Sequence, residues 1–232
     1  MNNLTLIIPT KKESESLPKF LNELKIFNCK KMIVLQSEDD ETLESIKNFS
    51  EIEIYKQKKN GYGSALTEGI KNCKTEYWSI INADGSMDPK YLKEMLEKCN
   101  DKDFIFASRY IKPGGGSDDD TIVTFVGNKF FSFLGNLMFR LNLTDILYTY
   151  VLGKKTSFEK LDITSYDFRF CVEFPIKIKI SKMNYTSIPS YEKKRIGGRK
   201  KVSELKDGFL ILTEIIKLFF KFKIFRKKIV SY

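Results

Sequence analysis

The sequence predicts an α/β fold with a mostly parallel central sheet covered by helices on both faces. Three observations carry that expectation. Short β-rich apolar runs alternate with segments whose apolar residues recur at helical spacing, from residue 4 to residue 108. An alternation this regular needs crossover connections, which lay helices over a parallel sheet. The chain has 232 residues of which 42% are hydrophobic, enough for one sizeable core.

Residues 4–9, 32–36, 52–56, 77–82 and 104–108 read as strands, and 15–27, 41–49, 64–72 and 89–99 read as helices. Ligands of such sheets bind beyond the carboxyl ends of the strands, which directs attention to the segments after Pro9, Gln36, Lys56 and Ile81. After residue 110 the pattern changes: a glycine-rich loop (Pro113 to Gly116) and an acidic triplet (Asp118 to Asp120) precede a long apolar stretch, 122–143. Asn128, Lys129, Asn136 and Arg140 interrupt that stretch, which argues for a helix packed on the sheet or lining a groove and against a bilayer span. Residues 185–191 read as a late strand. No repeat or low-complexity linker marks a boundary, so residues 1–202 are expected to form one domain and 203–232 a C-terminal appendage.

Composition narrows the chemistry. The chain has no histidine, which removes Ser-His-Asp and Cys-His nucleophiles and imidazole bases together. Its four cysteines are scattered without a CxxC pair, so reduced thiols are expected rather than a zinc site. What remains is carboxylates, cations, hydroxyls and a metal. Lys11-Lys12-Glu13 follows the first apolar run too closely for an export segment, so a cytoplasmic protein is expected.

The net charge of +10 is concentrated near the C-terminus, where cations outnumber acids sixteen to four between Lys177 and Lys228. Such a segment suits nucleic acid, an anionic membrane or phosphorylated ligands. No RNA- or DNA-binding signature accompanies it, so nucleic acid is not the expected partner. Residues 209–225 are dense in Phe, Leu and Ile, with Glu214, Lys217 and Lys221 on one stripe of a helical wheel and Arg226-Lys227-Lys228 following. That is the composition of a helix lying in a membrane interface; the alternative is a helix docked on the core or on a partner subunit.

Three segments carry candidate chemistry. In Asn82-Ala83-Asp84-Gly85-Ser86-Met87-Asp88-Pro89 a strand runs into an acidic turn and then a helix, a place where Asp84 can hold Mg²⁺ or Mn²⁺ against a diphosphate while Asp88 caps the helix ahead of Pro89. In Lys58 to Ala65, Gly61 and Gly63 would let backbone amides approach a ligand, although glycine-rich turns are common. In Lys193 to Lys201 six cations surround two glycines, which is either a loop that closes over a diphosphate or a solvated basic loop.

Taken in order, these segments resemble glycosyltransferase family 2, in particular its polyprenyl-phosphate branch that includes the dolichol-phosphate mannosyltransferases. Ile7 to Thr10 with Glu13 is similar to the opening nucleotide-binding strand, Gly61-Tyr62-Gly63 with Ala65 to the glycine turn, and Asn82 to Pro89 to the Asp-x-Asp metal motif. Ala107 to Tyr110, Gly127-Asn128-Lys129, Leu143-Thr144-Asp145 and the loop from Arg195 to Lys201 complete the order. Two positions depart from the pattern: Asn82 stands where the family usually has Asp, and the second strand ends in Gln36 where the family carries an aspartate pair that reads the base, leaving Gln36 or Asp39 to substitute.

The resemblance implies a GT-A fold and an inverting transfer from a nucleoside-diphosphate sugar, with Mg²⁺ or Mn²⁺ at Asp84. It implies donor contacts from Pro9, Thr10, Glu13, Gln36, Gly61, Gly63, Asn82 and Ala83, and leaving-group stabilisation by Arg195 and Lys201. A lipid-phosphate acceptor would need cations, for which Arg109 and Lys129 are candidates, whereas a hydroxyl acceptor would need a base, either Asp145 or Glu173. With the C-terminal segment this predicts a protein peripheral on the inner face of the cell membrane, meeting anionic lipid and a polyprenyl-phosphate acceptor, with a homo-oligomer left open. The competing expectations are transfer onto a glycan hydroxyl and nucleotide-sugar binding without turnover.

Overall fold

A computed structural model describes residues 1–197 and 201–225. The elements are β1 (Leu4–Thr10), α1 (Leu17–Leu24), β2 (Lys30–Leu35), α2 (Asp40–Ser45), β3 (Glu53–Lys56), α3 (Tyr62–Asn72), β4 (Tyr77–Ile80), α4 (Leu92–Lys98) and β5 (Phe104–Ser108). They continue with β6 (Gly116–Ser117), α5 (Ile122–Phe139), β7 (Val151–Lys154), α6 (Lys155–Glu159), α7 (Phe170–Ile180), β8 (Tyr185–Pro189), β9 (Tyr191–Glu192) and α8 (Glu204–Phe219). The main sheet has the order β3-β2-β1-β4-β7-β5-β8, and β6 pairs with β9 in a small second sheet.

Side chains alternate across the central strands, so β1 sends Ile7 into one core and Leu6 and Ile8 into the other. The first core gathers Val34, Leu66, Trp78, Phe104 and Phe174; the second gathers Phe20, Leu24, Ile33, Met95 and Leu152. Both faces of β1 are covered, which is why its run of residues is apolar without a polar alternation.

The expected strands and helices of the first half are all present. Two strands were not expected: the two-residue β6, which pairs with β9, and β7, which runs antiparallel between β4 and β5. β7 is short and contains Gly153, whose missing side chain leaves room for two aromatics, because a Cβ there would lie 2.4 Å from the Phe104 ring and 2.9 Å from Trp78. Being antiparallel, β7 begins at the carboxyl edge of its neighbours and so delivers residues 145–150 to the ligand-binding rim. The late strand read at 185–191 divides into β8 and β9 around Ser190. The basic-loop residues Gly198, Arg199 and Lys200, and the tail cluster Arg226 to Lys228, lie outside the described residues.

The C-terminal helix is docked. Ile211, Ile215, Leu218 and Phe222 enter the first core, and the helix packs on α5 and α7. Glu214 is buried rather than part of a solvated polar stripe, and its carboxylate takes the Lys217 ammonium at 3.0 Å.

On α7, Glu173 and Lys177 form a fully buried ion pair at 2.7 Å. Glu173 also accepts from the backbone N–H groups of Thr164 and Ser165 and from the Thr164 hydroxyl, so it anchors the chain ahead of α7. This corrects its expected role as a base. Burial opposes ionisation of Glu173, but the Lys177 ammonium and the Ser165 donors outweigh it and hold the carboxyl below its ordinary value of 4.5. A depressed carboxyl stabilises the fold above the unfolded value and loses that contribution as pH falls through the folded one. We predict that Glu173→Gln destabilises the protein by about 3–5 kcal/mol at neutral pH by stranding a buried ammonium, and that adding Lys177→Met recovers most of the loss. Urea unfolding should show a stability loss on acidification below pH 4.5 in the parent, with the Glu173 part of that slope missing from Glu173→Gln.

Candidate active site

The site is built on the carboxyl edge of β1, β2 and β4. Pro9 sits within β1 opposite Val34, and Thr10 closes the strand with its hydroxyl donating to the Ile8 carbonyl at 3.0 Å. The next turn is held from β2's side. Asp39 accepts from the backbone N–H of Lys12 and from that of Thr42, and the Thr42 hydroxyl accepts from the Glu13 N–H at 3.0 Å. Asp39 therefore has a structural task, capping α2 and tethering the β1 turn. Gln36 is half-buried at the end of β2, its backbone N–H donating to the Thr10 carbonyl at 3.3 Å. Glu13 accepts from the Ser16 hydroxyl at 2.6 Å and meets the Lys201 ammonium at 3.3 Å, so Lys201 lies beside the turn after β1.

The Gly61 and Gly63 turn has a different task from the one expected. Gly61 adopts φ 138°, and a Cβ on it would lie 2.1 Å from the Tyr166 carbonyl oxygen; one on Gly63 would meet the carbonyls of Ser165 and Asp167 at 2.6 and 2.7 Å. The glycines admit the protein's own chain, and the Ser64 N–H donates to the Tyr166 carbonyl at 3.0 Å. The residue between them is the one that faces the site. The Tyr62 hydroxyl donates to Asn82 Oδ1 at 3.2 Å and lies 2.5 Å from the Thr149 hydroxyl, while its ring stacks on Phe168. Sequence reading passed over Tyr62 because its partners come from β7's approach and the loop before α7.

After β4 the acidic turn and the basic segment lie against each other. The Lys193 N–H donates to the Ser86 carbonyl and the Ile196 N–H to the Asp84 carbonyl, both at 2.8 Å. Asp84 accepts from the Ser86 N–H at 3.1 Å and stands 3.9 Å from the Arg195 guanidinium, whose other nitrogens grip Asp119 at 2.5 and 3.1 Å. Asp88 caps the turn that begins at Pro89 by accepting from the Lys90 N–H at 3.0 Å. Capping thus falls on Asp88 and not on Asp84, the residue expected to coordinate. Ala83, just ahead of Asp84, is buried. Among the described residues no three acidic or thiol side chains gather into a metal-ready cluster. Mg²⁺ commonly binds through one or two carboxylates plus substrate phosphates, and Asp84 beside an incoming diphosphate fits that pattern.

Arg109, just after β5, is buried among three carboxylates. It holds Asp145 through Nε and Nη2 at 2.8 Å each, Glu192 at 3.0 Å and Asp120 at 3.3 Å, and the Tyr148 ring lies 4.5 Å from it. Asp145 accepts in addition from the Arg109 backbone N–H and from Asn128. In this structure the charge of Arg109 meets the protein's own acids, and the oxygens of Asp145, the expected base, are held by Arg109 and Asn128. Burial pushes the Glu192 carboxyl above its ordinary 4.5, with Arg109 pulling it back in part. Glu192, Asp119 and Asp120 were missed as site residues; the acidic triplet and the residue before the basic run were visible, but only folding gathers them. Lys129 stands on the exposed side of α5, its ammonium 4.4 Å from the Tyr110 ring.

The fold has relatives among solved structures. Mannosyl-3-phosphoglycerate synthase from Rubrobacter xylanophilus superposes with TM-score 0.73 at 12% identity, covering 99% of this chain and 77% of that one. Glucosyl-3-phosphoglycerate synthase from Mycobacterium tuberculosis, crystallised with Mn²⁺, uridine diphosphate and phosphoglyceric acid, gives 0.71 at 11% identity over 94% and 78%. In sequence, dolichol-phosphate mannosyltransferase from Pyrococcus furiosus is 27% identical over 120 residues, 48% of this chain and 34% of that protein. The aligned part spans about a third of that relative's length. Residues 5–162, well over half of the chain, match glycosyl transferase family 2. With the GT-A sheet and its acidic turn in place, the chain belongs to glycosyl transferase family 2.

Proposed function

We propose that this enzyme transfers a hexosyl group from a nucleoside-diphosphate sugar to the phosphate of a polyprenyl phosphate, with Mg²⁺ or Mn²⁺ held at Asp84. The observation that carries the acceptor class is the state of the expected bases: Asp145 is bound by Arg109 and Asn128, and Glu173 is buried against Lys177. A phosphate monoester arrives already anionic and needs no proton removed, so a site whose expected bases are engaged suits it. The 27% identity to a dolichol-phosphate mannosyltransferase supports the same class.

In the reaction an acceptor phosphate oxygen attacks the anomeric carbon, a new C–O bond forms, and the bond to the β-phosphate oxygen breaks, releasing nucleoside diphosphate. A divalent ion at Asp84 would neutralise charge developing on that leaving group. Arg195, which bridges Asp119 and Asp84, is placed to transfer its guanidinium contact to the diphosphate. Lys201, beside Glu13, would cover the same group from the loop. Tyr62 fixes Asn82, so the Asn that replaces an acid is oriented as a ribose or sugar contact rather than left free.

A second reading has one observation in its favour. The structural relatives are named for phosphoglycerate acceptors, and Glu192, with its raised carboxyl value, is a half-engaged acid that could take a proton from a hydroxyl. Nucleoside diphosphate release with a panel of donors separates the two when short polyprenyl phosphate is compared with phosphoglycerate. We predict release that requires both divalent metal and polyprenyl phosphate, and a fall in kcat of about 10²–10³ in Asp84→Ala. Lys129→Ala should raise KM for the lipid phosphate about tenfold or more while leaving KM for the donor unchanged. Turnover with phosphoglycerate alone, lost in Glu192→Gln, would replace the polyprenyl reading.

A further inference from the structure

A helix on a water-soluble surface normally turns its polar side outward, and α5 does the reverse. Three of its polar residues face inward and are satisfied there, while Lys129 is exposed: Asn128 bonds Asp145, the Ser132 hydroxyl accepts from the Ile146 N–H, and Asn136 pairs with the Leu143 backbone. Its outward stripe is Ile122, Val126, Phe130, Phe133 and Leu137, spaced four, four, three and four residues apart, with Ile122 84% and Leu137 66% exposed. The neighbouring α8 repeats the pattern. It buries Ile211, Ile215 and Leu218, yet leaves Leu205, Phe209, Ile216 and Phe220 open along a second stripe, with Phe209 67% exposed. The helices lie side by side in the same chain direction, since Gly208 faces Phe131 and Phe219 meets the Phe139 ring. So much contiguous apolar surface is more than a soluble monomer ordinarily exposes.

From this we infer that α5 and α8 together form a docking platform that lies in the interface of an anionic lipid bilayer. The cations choose the occupant. Lys129 on α5, Arg140 just after it, and Lys206 and Lys223 on and after α8 are exposed beside the apolar stripes, where their stems run along hydrocarbon and their heads reach lipid phosphates. A second copy of the chain would set the same cations against each other. By length and composition α5 could cross a membrane, but its inward bonds to residues 143–147 hold it to the domain, so it lies in the plane of the interface. The same helix presents Lys129 beside Tyr110, which brings the lipid surface to the acceptor side of the site.

The test is co-sedimentation of the purified full chain with vesicles, without donor or acceptor, using phosphatidylcholine alone and phosphatidylcholine mixed with phosphatidylglycerol. The expected result is stronger partition onto the mixed vesicles, weakened by added salt. Paired substitutions Phe133→Glu with Leu137→Glu, and Phe209→Glu with Phe220→Glu, should each lower partition at least about tenfold, with the melting temperature and donor turnover on a detergent-soluble acceptor unchanged. Failure of the folded parent to bind either vesicle overturns the inference, as does a dimer in solution that these substitutions dissociate. Vesicle binding without glycosylation of polyprenyl phosphate would sustain the platform and overturn the acceptor reading; the reverse pattern would do the opposite.

Discussion

Arg109 is the point on which one half of the candidate site turns. Its guanidinium draws in Asp145 from the chain before β7, Asp120 from the approach to α5 and Glu192 from β9. Three carboxylates gathered around one buried guanidinium would repel one another without that shared cation. The pair with Asp145 is bidentate, which sets orientation as well as attraction. Asn128 on α5 adds a bond to the same Asp145, so the position of α5 is tied to the position of the site.

The half around the acidic turn is held by a different chain of contacts. The buried Glu173–Lys177 pair anchors residues 164–165, the following backbone presses into the space left by Gly61 and Gly63, and Tyr62 between those glycines reaches Asn82 and Thr149. A carboxylate far from the acidic turn thereby orients the first residue of that turn. The two halves meet where the basic segment lies along Asp84 to Ser86, with Arg195 shared between Asp84 and Asp119.

These contacts explain why a helix with its polar side inward is stable. The inward polar groups Asn128, Ser132 and Asn136 of α5 have partners in the loop that β7 brings to the rim, so their burial does not oppose packing. Its outward side is then free to be apolar, and α8 extends that apolar face. The same arrangement would place the lipid-facing surface next to the cluster around Arg109.

Periodicity, strand–helix alternation and the order of the glycine and acidic turns made the first five strands, their covering helices and the position of Asp84 legible from the chain alone. These are local signals: each depends on residues within a few positions of one another. Residue type also marked Arg109, Asp145 and Glu173 as chemically notable, but their tasks depend on partners 36 residues away for Arg109 and on burial for Glu173. The antiparallel β7, the self-packing of Gly61 and Gly63, the contact of Tyr62 with Asn82 and the inside-out polarity of α5 were decided only by tertiary structure. A side chain's charge and shape are written in the sequence, whereas whether that charge is free, paired or buried is set by what the fold brings against it.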